Sequence, residues 1–324
     1  MDMNSTYKFQ TSFNRPNLHY YIHQKKKTSL DEIADYIKTK QKHKSGIIYC
    51  LSRKDCEKTS DALKQKIPDM RNEITFYHAE IDPATREARH KDWSRGRIKV
   101  IVATVAFGMG INKPDVRFVI HNSLPKSLTH YYQESGRAGR DGSQSDCILY
   151  FSFRDKAVLE MMTRKGAQNS SGGGGGYRQG GVDKIQGELD NIHRVCAFCM
   201  NEVDCRRKIV LDYFGENFNP TNCHGTCDNC SYKGHVEKRD LTLHAKAIIE
   251  LFKDISGHAG GREQNISILQ LIGVYRGSKT KAIRDYGFDQ KALFGAGKGK
   301  LKADEGERLI QELVIQGYLA EEAR

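Results

Sequence analysis

Five short runs rich in Ile, Val, Tyr and Phe, spaced by stretches mostly long enough for a helix, constrain this chain more than any other feature. They are Ile47 to Leu51, Ile74 to Tyr77, Lys99 to Ala103, Val116 to His121 and Asp146 to Phe151. Runs this short and this continuously apolar read as strands covered on both faces. Between them, Lys54 to Lys66 has helical character, and a second helix begins at Asp82-Pro83, a cap followed by proline at the first helical position. A third runs from about Leu128 to Gly136. Upstream, Tyr20 and Ile22 alternate like a strand. Ser29 can cap a helix through Lys38 that gathers Leu30, Ile33, Ala34 and Ile37 on one face. The Lys25-Lys26-Lys27 run reads as a solvated turn. This alternation predicts an α/β lobe over residues 1–165, a parallel sheet wrapped by helices.

Ligands of such sheets gather at the carboxyl ends of the strands. Ser52-Arg53, His78-Ala79 and Thr104 each follow a predicted strand. Their hydroxyl, guanidinium and imidazole groups can donate to phosphate without reading base sequence, or can simply cap strand ends. A further candidate lies at Gln133-Glu134-Ser135-Gly136-Arg137-Ala138-Gly139-Arg140-Asp141-Gly142. Arg137 and Arg140 each follow a glycine. A guanidinium presents a planar, permanently charged fork that matches phosphate oxygens, and glycine lets the backbone come close to a ligand. A solvated basic loop is the alternative.

The remainder changes character. Residues 166–182 contain Asn-Ser-Ser and five consecutive glycines, a composition that cannot repay its ordering entropy, and are expected to be a linker. Residues 183–236 carry Cys205, then Cys223-His224-Gly225-Thr226-Cys227-Asp228-Asn229-Cys230. Three cysteines on a tight turn with a fourth beside a helix can build a tetrahedral thiolate site, and soft thiolates favour zinc. Cys196 and Cys199 form a competing Cys-x-x-Cys or else helix-packing thiols, and His224 is a possible substitute ligand. Cys50, Cys56 and Cys147 fall in core elements and read as buried thiols. Over residues 237–324 come short helices. Ala245, Ile248, Ile249 and Phe252 share one face, and Leu309, Ile310, Leu313 and Val314 share another. Gly317 stops the second helix, and Tyr318-Leu319-Ala320 is expected to start a strand. Two glycine-lysine segments, Gly273 to Thr280 and Gly295 to Lys300, miss the spacing or the terminal hydroxyl of a phosphate loop.

Formal net charge is +12, with 52 Lys and Arg against 40 Asp and Glu, which favours a polyanionic partner. No apolar run approaches the ~20 residues of a membrane-spanning helix.

Val102 to Pro114, Ser123 to Ser127 and Gln133 to Gly142 together resemble motifs V and VI of superfamily 2 helicases, in the wording of RecQ-family DNA helicases of the Bloom-syndrome type. Thr11 to Leu18 resembles the opening of that family's second motor lobe. The resemblance implies a RecA-like lobe followed by a zinc-binding subdomain and a winged-helix (RQC) domain that stops before its wing hairpin. It implies ATP and Mg²⁺ as the substrate complex, with Arg140 as the arginine finger, Arg137 and Gln133 as its catalytic partners, and Gly108 and Gly110 beside the nucleotide. It implies that Ser52, Arg53, His78 and Thr104 hold single-stranded DNA, and that Arg276, Ser278, Lys279 and Lys281 grip duplex phosphates. The implied ligands of a structural zinc are Cys205, Cys223, Cys227 and Cys230. The family unwinds DNA 3′ to 5′ in recombination and repair, in the nucleus, with repair proteins as possible partners and no membrane. Two departures stand out: Glu80-Ile81 where the family usually has Gly-Leu, and Asn112 where it often has Asp. No Walker A loop and no Asp-Glu-Ala-His-type box occur in the 324 residues. Both are therefore expected on a first lobe upstream. Without them, the alternative is a non-catalytic DNA-structure-binding module.

Overall fold

The computed structural model describes residues 11–105, 107, 112–170, 179–256 and 265–321, in two compact units, Met1–Gly234 and His235–Arg324. The first unit is built on six parallel strands: β1 (Leu18–Gln24), β2 (Ser45–Tyr49), β3 (Ile74–Tyr77), β4 (Val100–Ala103), β5 (Val116–His121) and β6 (Ser145–Phe151). Their spatial order is β1-β6-β5-β2-β4-β3. Helices α1 (Ser29–Lys40), α2 (Arg53–Lys66) and α3 (Pro83–Ser94) link β1 to β4 in turn, and α4 (Leu128–Ser135) links β5 to β6. The apolar runs are buried on both faces, as their continuity required. Ile48, Val102, Phe118 and Ile148 pack on one side with Ile33 and Ile37 of α1 and Leu63 of α2. Ile47, Ile101, Val119 and Leu149, each alternate in its strand, are buried as well. Each such side chain contributes about 1.5–3 kcal/mol. Gly46 marks the tightest spot, since a Cβ there would lie 2.0 Å from the Phe118 ring.

Two local readings need correction. Helix α1 is capped at Thr28, whose carbonyl accepts from Asp31 and Glu32, while the Ser29 hydroxyl accepts from Lys26 N at 2.8 Å. The helix therefore starts one residue early and uses Ser29 inside its first turn. Lys25 is also no solvated charge. Its Nζ donates to Asn122 O at 2.5 Å and pairs with Asp155 at 3.3 Å, tying the end of β1 to neighbouring segments.

Helix α5 (Phe153–Ser170) runs past residue 165 and α6 (Gln179–Met200) starts before residue 183, so helix enters the expected linker from both sides. Extending an anchored helix costs far less than nucleating one. Residues 171–178, including Tyr177 and Arg178, lie outside the described residues. Lys156 and Glu160 of α5 and His193 of α6 join the pair, with Glu160 accepting at 3.3 and 2.8 Å. Two short helices follow, α7 (Arg206–Tyr213) and α8 (Asp228–Ser231).

The second unit is helical among its described residues: α9 (Thr242–Ser256), α10 (Ile268–Tyr275), α11 (Lys281–Asp285) and α12 (Ala303–Ile315). Its core takes Ile248, Leu251 and Ile255 from α9, so the buried stripe is rotated from the expected one, leaving Ala245, Ile249 and Phe252 at its margin. Ile310, Leu313 and Val314 of α12 are buried as expected, with Leu309 half-buried. The strand expected at Tyr318 is absent. Gly317 takes φ +78°, and the Tyr318 and Leu319 amides both turn back to Leu313 O, at 2.8 and 3.2 Å. That is a glycine-terminated helix end whose last carbonyls are reclaimed by the chain beyond it.

Candidate functional site

The arginine loop lies between α4 and β6. Its backbone is held by side chains from far away in the sequence. Arg15 donates to the carbonyls of Gly136, Ala138 and Gly139 at 3.3, 3.1 and 2.8 Å, and Asn17 Nδ2 donates to Gly139 O and Ser143 O at 2.8 and 2.9 Å. Gly139 N adds a bond to Val116 O at 2.8 Å. Gly139 sits at φ +54°, and a Cβ there would lie 2.4 Å from Asn17 Nδ2. Only glycine fits without moving the clamp.

On this fixed loop Arg137 is half-buried and Arg140 exposed, with Arg140 Nη1 3.5 Å from Asn112 Oδ1. Tyr49, at the end of β2, connects the loop to the neighbouring segment. Its hydroxyl donates to Phe107 O at 3.0 Å, and the Arg137 guanidinium is near enough to pull on its proton. Burial pushes the phenol's pKa up, with Arg137 pulling the other way, so Tyr49 stays a neutral donor. Beneath it His121 stacks on the Tyr49 ring at 5.4 Å and bonds the buried Glu134 carboxylate at 2.8 Å. Arg15, Asn17, Tyr49, His121 and Glu134 were not singled out from the sequence as site residues. Gln133 is exposed on α4. Gly108 and Gly110 lie outside the described residues.

The other strand-end candidates sit at the carboxyl ends of three neighbouring strands, with Ser52-Arg53 after β2, Thr104 after β4 and His78 after β3. The side chains of Ser52, Arg53 and His78 already have internal partners. Ser52 caps α2, accepting from Asp55 N at 3.1 Å and donating to Asp55 Oδ2 at 2.6 Å. Arg53 is ion-paired with Glu80. His78 is buried, its Nε2 3.1 Å from Glu57 Oε1. Thr104 N donates to Tyr77 O at 3.3 Å.

The sulfurs of Cys205, Cys223, Cys227 and Cys230 all lie within 4.8 Å of one another. Tetrahedral Zn–S bonds of ≈ 2.3 Å place sulfurs about 3.8 Å apart, so the four thiols fit a structural zinc with small adjustment. His224 turns the chain at φ +49° and is not among the four. Cys196 and Cys199 are buried in α6, and burial holds the Cys199 thiol well above its ordinary pKa, as for a packing group. Cys50, Cys56 and Cys147 are buried too.

The zinc region is also sewn to the sheet. Arg206, buried, donates to both Asp228 oxygens at 2.9 and 3.3 Å, and Asp228 Oδ2 accepts from Ile22 N at 2.8 Å. Tyr20 N donates to Thr226 O at 3.0 Å, and Arg207 reaches Arg15 O and Leu18 O, both at 2.7 Å. The free edge of β1 is thereby covered.

In the second unit, Lys279 and Lys281 are exposed at the turn between α10 and α11, with Ser278 half-buried. Arg276 Nε donates to Leu301 O at 3.0 Å. Gly273 to Thr280 begins inside helix α10 and follows no strand, which removes it as a phosphate loop.

A parallel lobe with an arginine pair at one end and an appended four-thiolate region is the arrangement that the helicase resemblance implied. Family comparison agrees along the chain: the helicase conserved C-terminal domain matches residues 25–142, the RecQ zinc-binding region 153–231 and the RQC domain 235–324. These three regions and the relatives of the chain are those of RecQ-family helicases. It is 41% identical to ATP-dependent DNA helicase Q-like 4B of Arabidopsis thaliana over 97% of its own length and 26% of the relative's. It is 40% identical to ATP-dependent DNA helicase hus2/rqh1 of Schizosaccharomyces pombe, over 98% and 22%, and 37% identical to RecQ-like DNA helicase BLM of Xenopus laevis, over 97% and 22%. The chain thus spans about a quarter or less of these three relatives. Among the described residues, no helix is long and apolar enough to cross a membrane.

Proposed function

We propose that this chain works as the C-terminal part of the core of an ATP-dependent DNA helicase that moves 3′ to 5′ and unwinds DNA in recombination and repair in the nucleus. ATP, with Mg²⁺, is held chiefly by a first RecA-like lobe. Arg140 approaches the γ-phosphate from this lobe and stabilises charge as the phosphoryl group transfers. Arg137, beside Tyr49, and Gln133 relate hydrolysis to lobe movement, with Gly108 and Gly110 beside the nucleotide. Ser52, Arg53, His78 and Thr104 hold the tracking strand by its backbone. Arg276, Ser278, Lys279 and Lys281 hold the duplex, and zinc on the four cysteines keeps its module folded.

The observation that carries this reading is the clamp of Arg15 and Asn17 on the arginine loop, which fixes an exposed guanidinium on a rigid backbone. Preorganised positive charge of that kind is what a phosphoryl-transfer transition state requires. A second reading, a DNA-structure-binding module, is favoured for residues 1–324 on their own by the lack of a Walker A loop among them. DNA-stimulated ATPase assays decide between the two. Residues 1–324 alone should be nearly inactive and should hydrolyse ATP once a RecQ-type first lobe is joined upstream. An inactive joined protein would leave the binding-module reading.

A further inference from the structure

The two glycine-lysine segments that fail as phosphate loops lie against each other. Gly295 N donates to Val274 O at 3.0 Å and Gly297 N to Tyr275 O at 2.8 Å. Backbone meets backbone at Gly277 and Gly295, both at φ +74°, and a Cβ on Gly277 would come within 3.1 Å of Gly295 Cα. Gly297 is closed in as well, since a Cβ there would lie 2.4 Å from the Tyr275 ring. This approach lays the Lys298 stem across Gly277, its Cδ 3.9 Å from where that Cβ would stand. A lysine over twenty residues downstream is thus set beside the loop that carries Arg276, Ser278 and Lys279.

Charge gives the juxtaposition a direction. From Gly273 to Lys302, eight Lys and Arg accompany two Asp. Two cations of this unit have acids: Arg239 pairs with Glu305 at 3.3 Å and Lys291 with Asp254 at 3.0 Å. Lys279, Lys281 and Lys298 are exposed, and among the described residues none of them pairs with an acid. Like charges drawn together by backbone contacts repel, and a polyanion laid over them relieves that repulsion.

We propose that Lys298 is a further phosphate-contacting residue, supplied by a second limb to the duplex-binding loop at Arg276 to Lys281. This rests on the duplex-binding reading above. A lysine ammonium acts there as a point charge, adding affinity at every base sequence and selecting none.

The test is duplex binding by residues 1–324 across a salt series, with Lys298→Gln, Lys279→Gln and the control Lys291→Gln. Lys298→Gln should weaken binding several-fold at low salt and make the slope of log affinity against log salt shallower by about 0.9, one phosphate's worth. Lys279→Gln should do the same, and Lys291→Gln should match wild type. An unchanged slope for Lys298→Gln alongside a shallower one for Lys279→Gln overturns the second limb and leaves the loop. Unchanged slopes for both overturn the duplex reading with it.

Discussion

Arg53 and Glu80 are ion-paired across the carboxyl ends of β2 and β3, at the very place where the chain departs from the family's usual Gly-Leu. Both side chains are more than half exposed, so the pair is worth only about 0–1 kcal/mol and a phosphate can displace the carboxylate. In the DNA-bound state proposed above, that displacement subtracts from affinity. Glu80→Gln should therefore tighten single-stranded DNA binding a few-fold and steepen its salt dependence by up to about 0.7, the share of one phosphate on a single strand. Arg53→Gln should weaken binding. If Arg53→Gln weakens binding and Glu80→Gln has no effect, the carboxylate does not compete.

Arg140 should matter for turnover rather than for capture. In a protein with the first lobe joined, Arg140→Ala should lower kcat by roughly 10³–10⁵ while ATP binding changes little, because a finger acts on charge that develops in the transition state. Normal turnover in that variant would remove Arg140 from the mechanism.

The clamp beneath the arginines makes a separate prediction. Gly139→Ala forces a Cβ into Asn17 at a positive φ, so the loop must shift or strain by about 1–3 kcal/mol. In the joined protein, kcat should fall at least tenfold, with zinc content and duplex binding retained. Wild-type kcat would mean that the loop tolerates displacement.

Zinc should hold the sheet edge as well as its own loop. Purified chain should carry about one zinc, and Cys227→Ser should lose it, whereas Cys196→Ser should not. Hydrogen exchange at the Tyr20 and Ile22 amides should then accelerate, because their acceptors, Thr226 O and Asp228, sit on the cysteine turn. Full zinc retention by Cys227→Ser, with loss in Cys196→Ser, would reverse the ligand choice.

The sheet was legible because its strands are buried on both faces, so Ile47 to Tyr49 and Phe118 to Ile120 had to be apolar throughout. The thiolate cluster was legible because its spacing is local. What escaped was decided by partners far away in sequence. Nothing near Arg15 announces that it binds carbonyls more than 120 positions downstream. Nor does Glu80 reveal Arg53 as its neighbour. Smaller misses have local causes, such as Thr28 taking the cap next to Ser29, or Gly317 turning Tyr318 back onto its helix where an extended strand was expected.

The stretch from Asn14 to Ile22 serves two masters. Arg15 and Asn17 fasten the arginine loop, while Asn14, Leu18, Tyr20 and Ile22 receive Arg207, the Thr226 carbonyl and Asp228 from the cysteine region. Lobe and metal module are therefore not separable parts joined by a hinge. Cutting between them at the helices α5 and α6 would leave the metal half with buried arginines facing water and the motor half with a bare edge strand. Anyone dissecting this protein should expect both fragments to be insoluble.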